Sequence, residues 1–171
     1  MKNKIVINTI ITLMILSMGY MIVTHQTIYN NISIILICLS LILYSIGVLI
    51  DKKGLLIIGY LLSIITIILV RRRSDKIVND EFYIIDWIKL IFENEVVFIN
   101  VIGNIVLYIP LYILLNGKFI IILVLIIVLE LLQYILELGV FDIIDILLNI
   151  TGLIITMIMY KVNKWITKIK I

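Results

Sequence analysis

Charge is what this chain has least of. Of its 171 residues only 15% are Asp, Glu, Lys or Arg, while 64% are hydrophobic. A soluble domain averages about 25% charged and roughly 45–50% apolar residues. No fold of this size has enough interior to hide that much apolar side chain from water. Lipid must therefore be the solvent for much of the surface, in keeping with a mean hydropathy of +1.29. Cysteine occurs once, as Cys38, which excludes an intrachain disulfide. With a single histidine beside it, the ligand sets of zinc sites are excluded too, and nothing in the sequence asks for a metal or a cofactor. Cys38 lies in an apolar run and reads as a small buried hydrophobe. The net charge of +3 is small, and the basic residues are confined to loops and ends. That distribution argues against a nucleic-acid partner and reads instead as a topology signal. Alanine is missing altogether while Ile, Asn and Lys abound, a bias that suggests an AT-rich coding genome and says nothing of fold.

What the chain does have is long apolar runs. A membrane-crossing helix needs roughly 20 mostly apolar residues, and six stretches qualify: Ile5–Val23, Ile32–Ile50, Gly54–Val70, Val96–Leu115, Phe119–Leu136 and Ile143–Tyr160. The first follows Lys2 and Lys4 as a signal peptide would, but its apolar run is long and Ser17-Met18-Gly19 is a poor cleavage site, so a retained helix is expected. Polar breaks such as Asp51-Lys52-Lys53 and Asn116-Gly117-Lys118 are short enough to force antiparallel hairpins. His25, in the first of these breaks, reads as a solvated interface residue. The one long connection runs from Arg71 to Glu95. Within it Phe82, Ile85, Ile88, Ile91 and Phe92 recur at helical spacing opposite Asp86, Lys89 and Glu93, with Trp87 among them. That pattern suits an amphipathic helix lying along the membrane interface.

The expected fold is thus all-α: a polytopic transmembrane bundle of about six spans with one interfacial helix. Residues 1–70 would form an N-terminal three-helix region, 71–95 the amphipathic connection, and 96–171 a three-helix core with a basic tail. With six spans, nine of the 14 basic residues fall on the side shared by the two termini, which places both termini in the cytoplasm. Arg71-Arg72-Arg73 dissent from that rule; they would share the outer rim with the acidic Glu137–Asp142 turn.

Polar residues divide the spans into two kinds. The first three carry Ser, Thr, Tyr and Gly, which let helices approach closely. The last three carry acids and amides. Asn100, Asn104 and Tyr108 are four apart and share a helical face, and Pro110 should kink or break that helix. Glu130, Gln133 and Glu137 form a second stripe; Asp142, Asp145, Asn149 and Gly152 form a third, continued by Thr156. A carboxylate at the helix centre costs about 2.5–3.5 kcal/mol on insertion scales, so Glu130 and Asp145 must face the bundle interior or a wet cleft. Antiparallel geometry brings the three stripes into one half of the membrane. They form either a polar network that holds helices together or a site for acid–base chemistry, proton relay or cation coordination.

The same residues resemble the VanZ family of bacterial membrane proteins. Its pattern is approximately N-x-x-G-N-x-x-x-F-x-P-L-G, then E-x-x-Q, then G-x-x-D-x-x-D-x-x-x-N-x-x-G-G. Asn100, Gly103, Asn104, Pro110 and Leu111 match the first block, Glu130 and Gln133 the second, and Gly139, Asp142, Asp145, Asn149 and Gly152 the third. The resemblance covers about residues 100 to 160. Tyr108 stands where Phe is usual, and Tyr112 and Leu153 replace glycines. The resemblance implies a multi-pass protein of the bacterial plasma membrane associated with tolerance of glycopeptide antibiotics, teicoplanin in particular. Its expected partners are membrane lipids and a lipid-linked cell-wall precursor or lipoglycopeptide. The expected pocket comprises Asn100, Asn104, Glu130, Gln133, Asp142, Asp145 and Asn149, with Gly103, Pro110, Gly139 and Gly152 shaping the helices around it. A membrane-embedded enzyme acting on lipid-linked precursors and a small proton-coupled transporter are the alternatives that buried acids would also serve.

Overall fold

A computed structural model describes residues 2–24, 30–70, 92–136 and 143–169. These are all-α: α1 (Lys2–Thr24), α2 (Asn30–Leu49), α3 (Lys53–Val70), α4 (Glu95–Leu107), α5 (Ile109–Leu114), α6 (Phe119–Ile135) and α7 (Ile143–Ile169). Three stretches are long and apolar enough to cross a bilayer: Asn31–Leu49, Val97–Leu114 and Ile143–Val162. Lys4–Tyr20, Lys53–Ile68 and Phe119–Ile135 are shorter apolar helices. Ile35, Ile58, Val124, Leu147 and Ile158 are exposed on four different helices, an outer surface that suits lipid and not water. The expected interfacial helix falls almost wholly outside the described residues, as do His25 and the three arginines; Phe92 and Glu93, at its end, are exposed.

In α1 to α3 the packing depends on small residues and hydroxyls. A Cβ added to Gly59 would stand 2.8 Å from the Tyr44 backbone nitrogen, and one added to Gly47 would stand 2.9 Å from that of Leu56. Only hydrogen atoms at these positions let α2 and α3 come so close. The Ser40 hydroxyl donates to the Gly59 carbonyl across that seam at 2.8 Å, and the Tyr44 hydroxyl donates to Asn8 Oδ1 of α1 at 3.2 Å. Lys4 and Asp51 pair at the rim, which puts the start of α1 and the α2–α3 turn at one end of the bundle. The packed face of α2 runs through Ser33, Ile37, Ser40 and Tyr44. Cys38, expected inside, is one residue off that stripe and is exposed.

The run expected as one span at Val96–Leu115 is divided at Tyr108, where α4 ends and α5 begins. Pro110 opens α5 and has no N–H to give the preceding turn. The Leu107 carbonyl at the break accepts the Tyr60 hydroxyl of α3 at 2.7 Å, a polar partner in an otherwise apolar surrounding. After α5 the chain reverses through Asn116 and Gly117, both at positive φ, with the Gly117 N–H closing on the Tyr112 carbonyl at 2.9 Å. α3 packs against α5 and α6, while α7 packs against α4, α5 and α6. One continuous core results, from Ile11 and Ile15 of α1 through Tyr60 and Ile64 to Leu111, Ile122, Ile126 and Leu153.

Candidate functional site

Two helices bury matching faces. α6 buries Ile122, Ile126, Leu129, Glu130 and Gln133; α7 buries Asp145, Asn149, Gly152, Leu153 and Thr156. Both sets recur three and four residues apart, the spacing of one helical face. Each face is part apolar and part polar. The polar portions lie at the end of α6 and the start of α7, hence at the same end of the hairpin, away from the Asn116-Gly117 turn.

Glu130 and Asp145 retain only 6% and 8% exposure, so neither acid is turned out to the hydrocarbon. Asp145 lies in the first turn of α7, where the helix dipole favours a negative group. Its Oδ1 accepts the Asn104 side-chain N–H at 2.5 Å. Gly152 makes that bond geometrically possible. A Cβ there would stand 1.8 Å from the Ile105 carbonyl oxygen, so the backbones of α4 and α7 meet at this glycine. The next residue of α4 to Ile105 is Asn104, and it is thereby held within reach of α7.

Asn104 also lines a cavity of about 30 Å³. Asn104, Tyr108, Glu130, Gln133 and Asn149 supply the polar wall; Ile67, Ile68, Leu107 and Leu129 supply the apolar one. Asn149 is 5% exposed, and its Oδ1 is buried with no hydrogen-bond partner among the described residues. Orphans of that kind are uncommon in folded proteins and call for an explanation. Among the described residues no group of three or more His, Cys, Asp or Glu side chains is placed to hold a metal ion.

The arrangement therefore brings together Asn104, Glu130, Gln133, Asp145 and Asn149. Asn100 does not join them. It is exposed near the start of α4, because the stripe it shares with Asn104 and Tyr108 runs toward the helix end and off the packed bundle. Gly103, expected as a packing glycine, is also exposed, and a Cβ there would meet nothing within 4 Å. Of these two glycines, only Gly152 is a point of close backbone approach. Asp142 and Gly139 lie outside the described residues. Four contributors escaped sequence reasoning: Ile67 and Ile68 of α3, with Leu107 and Leu129, form the apolar wall of the cavity. They sit in apolar runs that carried no signal. Tyr108 had a signal, its spacing from Asn104, and is 3% exposed on the cavity.

The positions that depart from the glycines of the VanZ pattern are filled as core. Leu153 is fully buried, and Tyr112 is buried with its ring edge-on to Tyr160, centroids 5.7 Å apart. Gly117 leaves space for the Tyr112 hydroxyl, which would lie 3.2 Å from a Cβ at that position. A family model described as VanZ/LLP1 matches residues 34–165, reaching well beyond the three motif blocks to include α2 and α3. No curated protein and no solved structure matches the chain. With motif residues and helical architecture both falling inside the matched segment, this membrane protein belongs to the VanZ/LLP1 family.

Proposed function

We propose that the chain is a six-span protein of the bacterial plasma membrane that alters the cell envelope and lowers susceptibility to lipoglycopeptide antibiotics, teicoplanin above all. Both termini are cytoplasmic in this reading, so the polar cleft opens toward the outer half of the bilayer. Residues 1–70 form an N-terminal three-helix region, joined by the 71–95 connection to the three-span core that carries the cleft. The same-end pairing of Lys4 with Asp51 agrees with this arrangement, since the N-terminus and the α2–α3 turn then share the basic side.

One observation carries the reading: acids and amides are gathered in the interior of a lipid-facing bundle around a small, partly open cavity. Interhelical polar bonds in membranes average only about 0.6 kcal/mol, so packing alone is a weak reason for burying two carboxylates. Cavity size narrows the role. At about 30 Å³ it has room for a water-sized guest, whereas ligand pockets run to about 300–1,000 Å³. A lipoglycopeptide does not enter it. An action on the envelope, through membrane lipids or a lipid-linked wall precursor at the cleft, fits better than capture of the drug.

Expression in a susceptible host should raise the inhibitory concentration of teicoplanin more than that of vancomycin. Asp145→Asn, which keeps the shape and a hydrogen bond to Asn104, should remove most of that difference at unchanged protein level. Equal or absent shifts for both drugs, with the protein present in the membrane, defeat the proposal. A changed lipid profile that Asp145→Asn abolishes would point to an enzyme on lipid-linked precursors.

A further inference from the structure

We propose that the end of the bundle remote from the cavity binds the phosphate headgroups of anionic phospholipids, chiefly through Lys118 and Lys161. Packing decides which lysines meet there. α3 and α6 both bring their later residues to the cavity, Ile67 and Ile68 from one, Glu130 and Gln133 from the other. Their starts therefore share the opposite end, roughly 20 Å away at about 1.5 Å per residue. α7 leaves the cavity at Asn149 and reaches that end at Tyr160, whose ring meets Tyr112 beside the Asn116-Gly117 turn. The pairing of Lys4 with Asp51 brings the start of α1 there as well.

Lys4, Lys52, Lys53, Lys118 and Lys161 are all exposed at this end. Among the described residues Asp51 is the only acid with them, and it is paired with Lys4. Glu93 and Glu95 stand near the start of α4, and Glu130 and Asp145 are buried in the polar half. Charge is thus sorted along the bundle, and a face of one sign attracts partners of the other.

Depth favours a lipid over a soluble anion. The apolar stretch of α7, Ile143–Val162, has 20 residues, enough for the roughly 30 Å of a bilayer's hydrocarbon. Lys161 stands in its last turn, and α7 continues to Ile169 with Lys164 and Lys168 three and seven residues further on. Basic residues that directly follow a membrane span are a signature of anionic-lipid binding. Toward the bilayer centre Ile158 and Ile154 are exposed at helical spacing from Lys161, and Ile121 and Val124 are exposed at helical spacing from Lys118. Each lysine therefore heads a lipid-facing stripe, with charge at headgroup depth and aliphatic surface where acyl chains lie. The two lysines also adjoin residues that meet. A Cβ on Gly117 would stand 3.4 Å from the Tyr160 ring, which brings lysines of two helices to the same part of the rim.

This inference goes beyond the proposed function, which concerns the other end of the bundle, and it holds for whichever leaflet this end meets. The test reconstitutes full-length protein in equal parts phosphatidylcholine and phosphatidylglycerol, extracts it in mild detergent, and identifies the retained lipid by mass spectrometry. Phosphatidylglycerol should be enriched over the starting mixture, and extraction at high salt should remove the enrichment. Lys118→Gln and Lys161→Gln should each reduce it by up to about fivefold, and the double variant should return the retained lipid nearly to the starting proportion. Lys161→Arg should keep it. All these variants should melt in phosphatidylcholine alone as the native chain does, because both side chains are exposed. Retention of the two lipids in their starting proportion by the native chain overturns the proposal. Enrichment that survives in the double variant overturns the assignment to these two lysines. Enrichment that inorganic phosphate abolishes at matched ionic strength overturns the lipid in favour of a soluble anion. Should the double variant fail to accumulate, the single variants and the salt dependence of the native chain decide.

Discussion

The two halves of the bundle treat buried polarity in opposite ways. In α1 to α3 the hydroxyls of Ser40, Tyr44, Tyr60, Ser63 and Thr66 each donate to an oxygen of the same or a neighbouring helix. These groups are neutral and satisfied, and their effect is to let helices pack closely in a medium that offers no hydrophobic force between them. In α4 to α7 the buried groups include two carboxylates and two amides, and one amide oxygen has no hydrogen-bond partner among the described residues. Satisfied hydroxyls serve packing, whereas an incompletely satisfied set around a cavity leaves bonding capacity for something that arrives. The contrast is the reason for proposing the site in the second half, with α3 as the shared wall.

Substitution of two glycines gives the sharpest way to break this comparison, since the same change has opposite expected outcomes. Gly152→Ala should have the largest effect. Overpacking costs about 1–3 kcal/mol in ordinary cores, and a methyl group 1.8 Å from a backbone oxygen belongs at or above the top of that range. The Asn104–Asp145 bond should be lost with it. Sharply reduced accumulation in the membrane, or a much lower melting temperature in detergent, checks this; a native melt would mean that α4 and α7 do not touch there. Tyr60→Phe should come next. It strands the Leu107 carbonyl at the helix break, for which a loss of about 1–3 kcal/mol is expected, again read by thermal melting. That result would show that the neutral half supports the break which shapes the polar half. Gly103→Ala should have the smallest effect, no change or a gain of up to about 1 kcal/mol, because an exposed mid-helix glycine only adds backbone freedom. A severe loss there would reveal a partner helix or second copy against α4.

Much of this was legible in the residues. Glu130, Gln133, Asp145 and Asn149 could be placed inside the bundle before any coordinates, because a carboxylate in hydrocarbon has so few other places to go. The break before Pro110 followed from the missing N–H. Gly103 and Gly152 look alike in a sequence motif; which of them another backbone approaches depends on the rotation of α4 against α7. Asn100 shares a stripe with Asn104, yet periodicity gives the face without saying how far along it a neighbour extends. Leu153 and Tyr112 look like damage to a glycine pattern, while the fold uses their volume as core.

The sequence by itself determined the solvent, the helical class and the family, since composition, 3.6-residue periodicity and motif spacing are properties of one chain read locally. Tertiary structure alone decided that α3 walls the cavity, that Tyr60 bonds the Leu107 carbonyl at the helix break, that Asn104 reaches Asp145 over Gly152, and that the buried Asn149 Oδ1 has no hydrogen-bond partner among the described residues. Each of those depends on distances of a few ångströms between helices far apart in sequence, and residue order carries such distances only through the packing it produces.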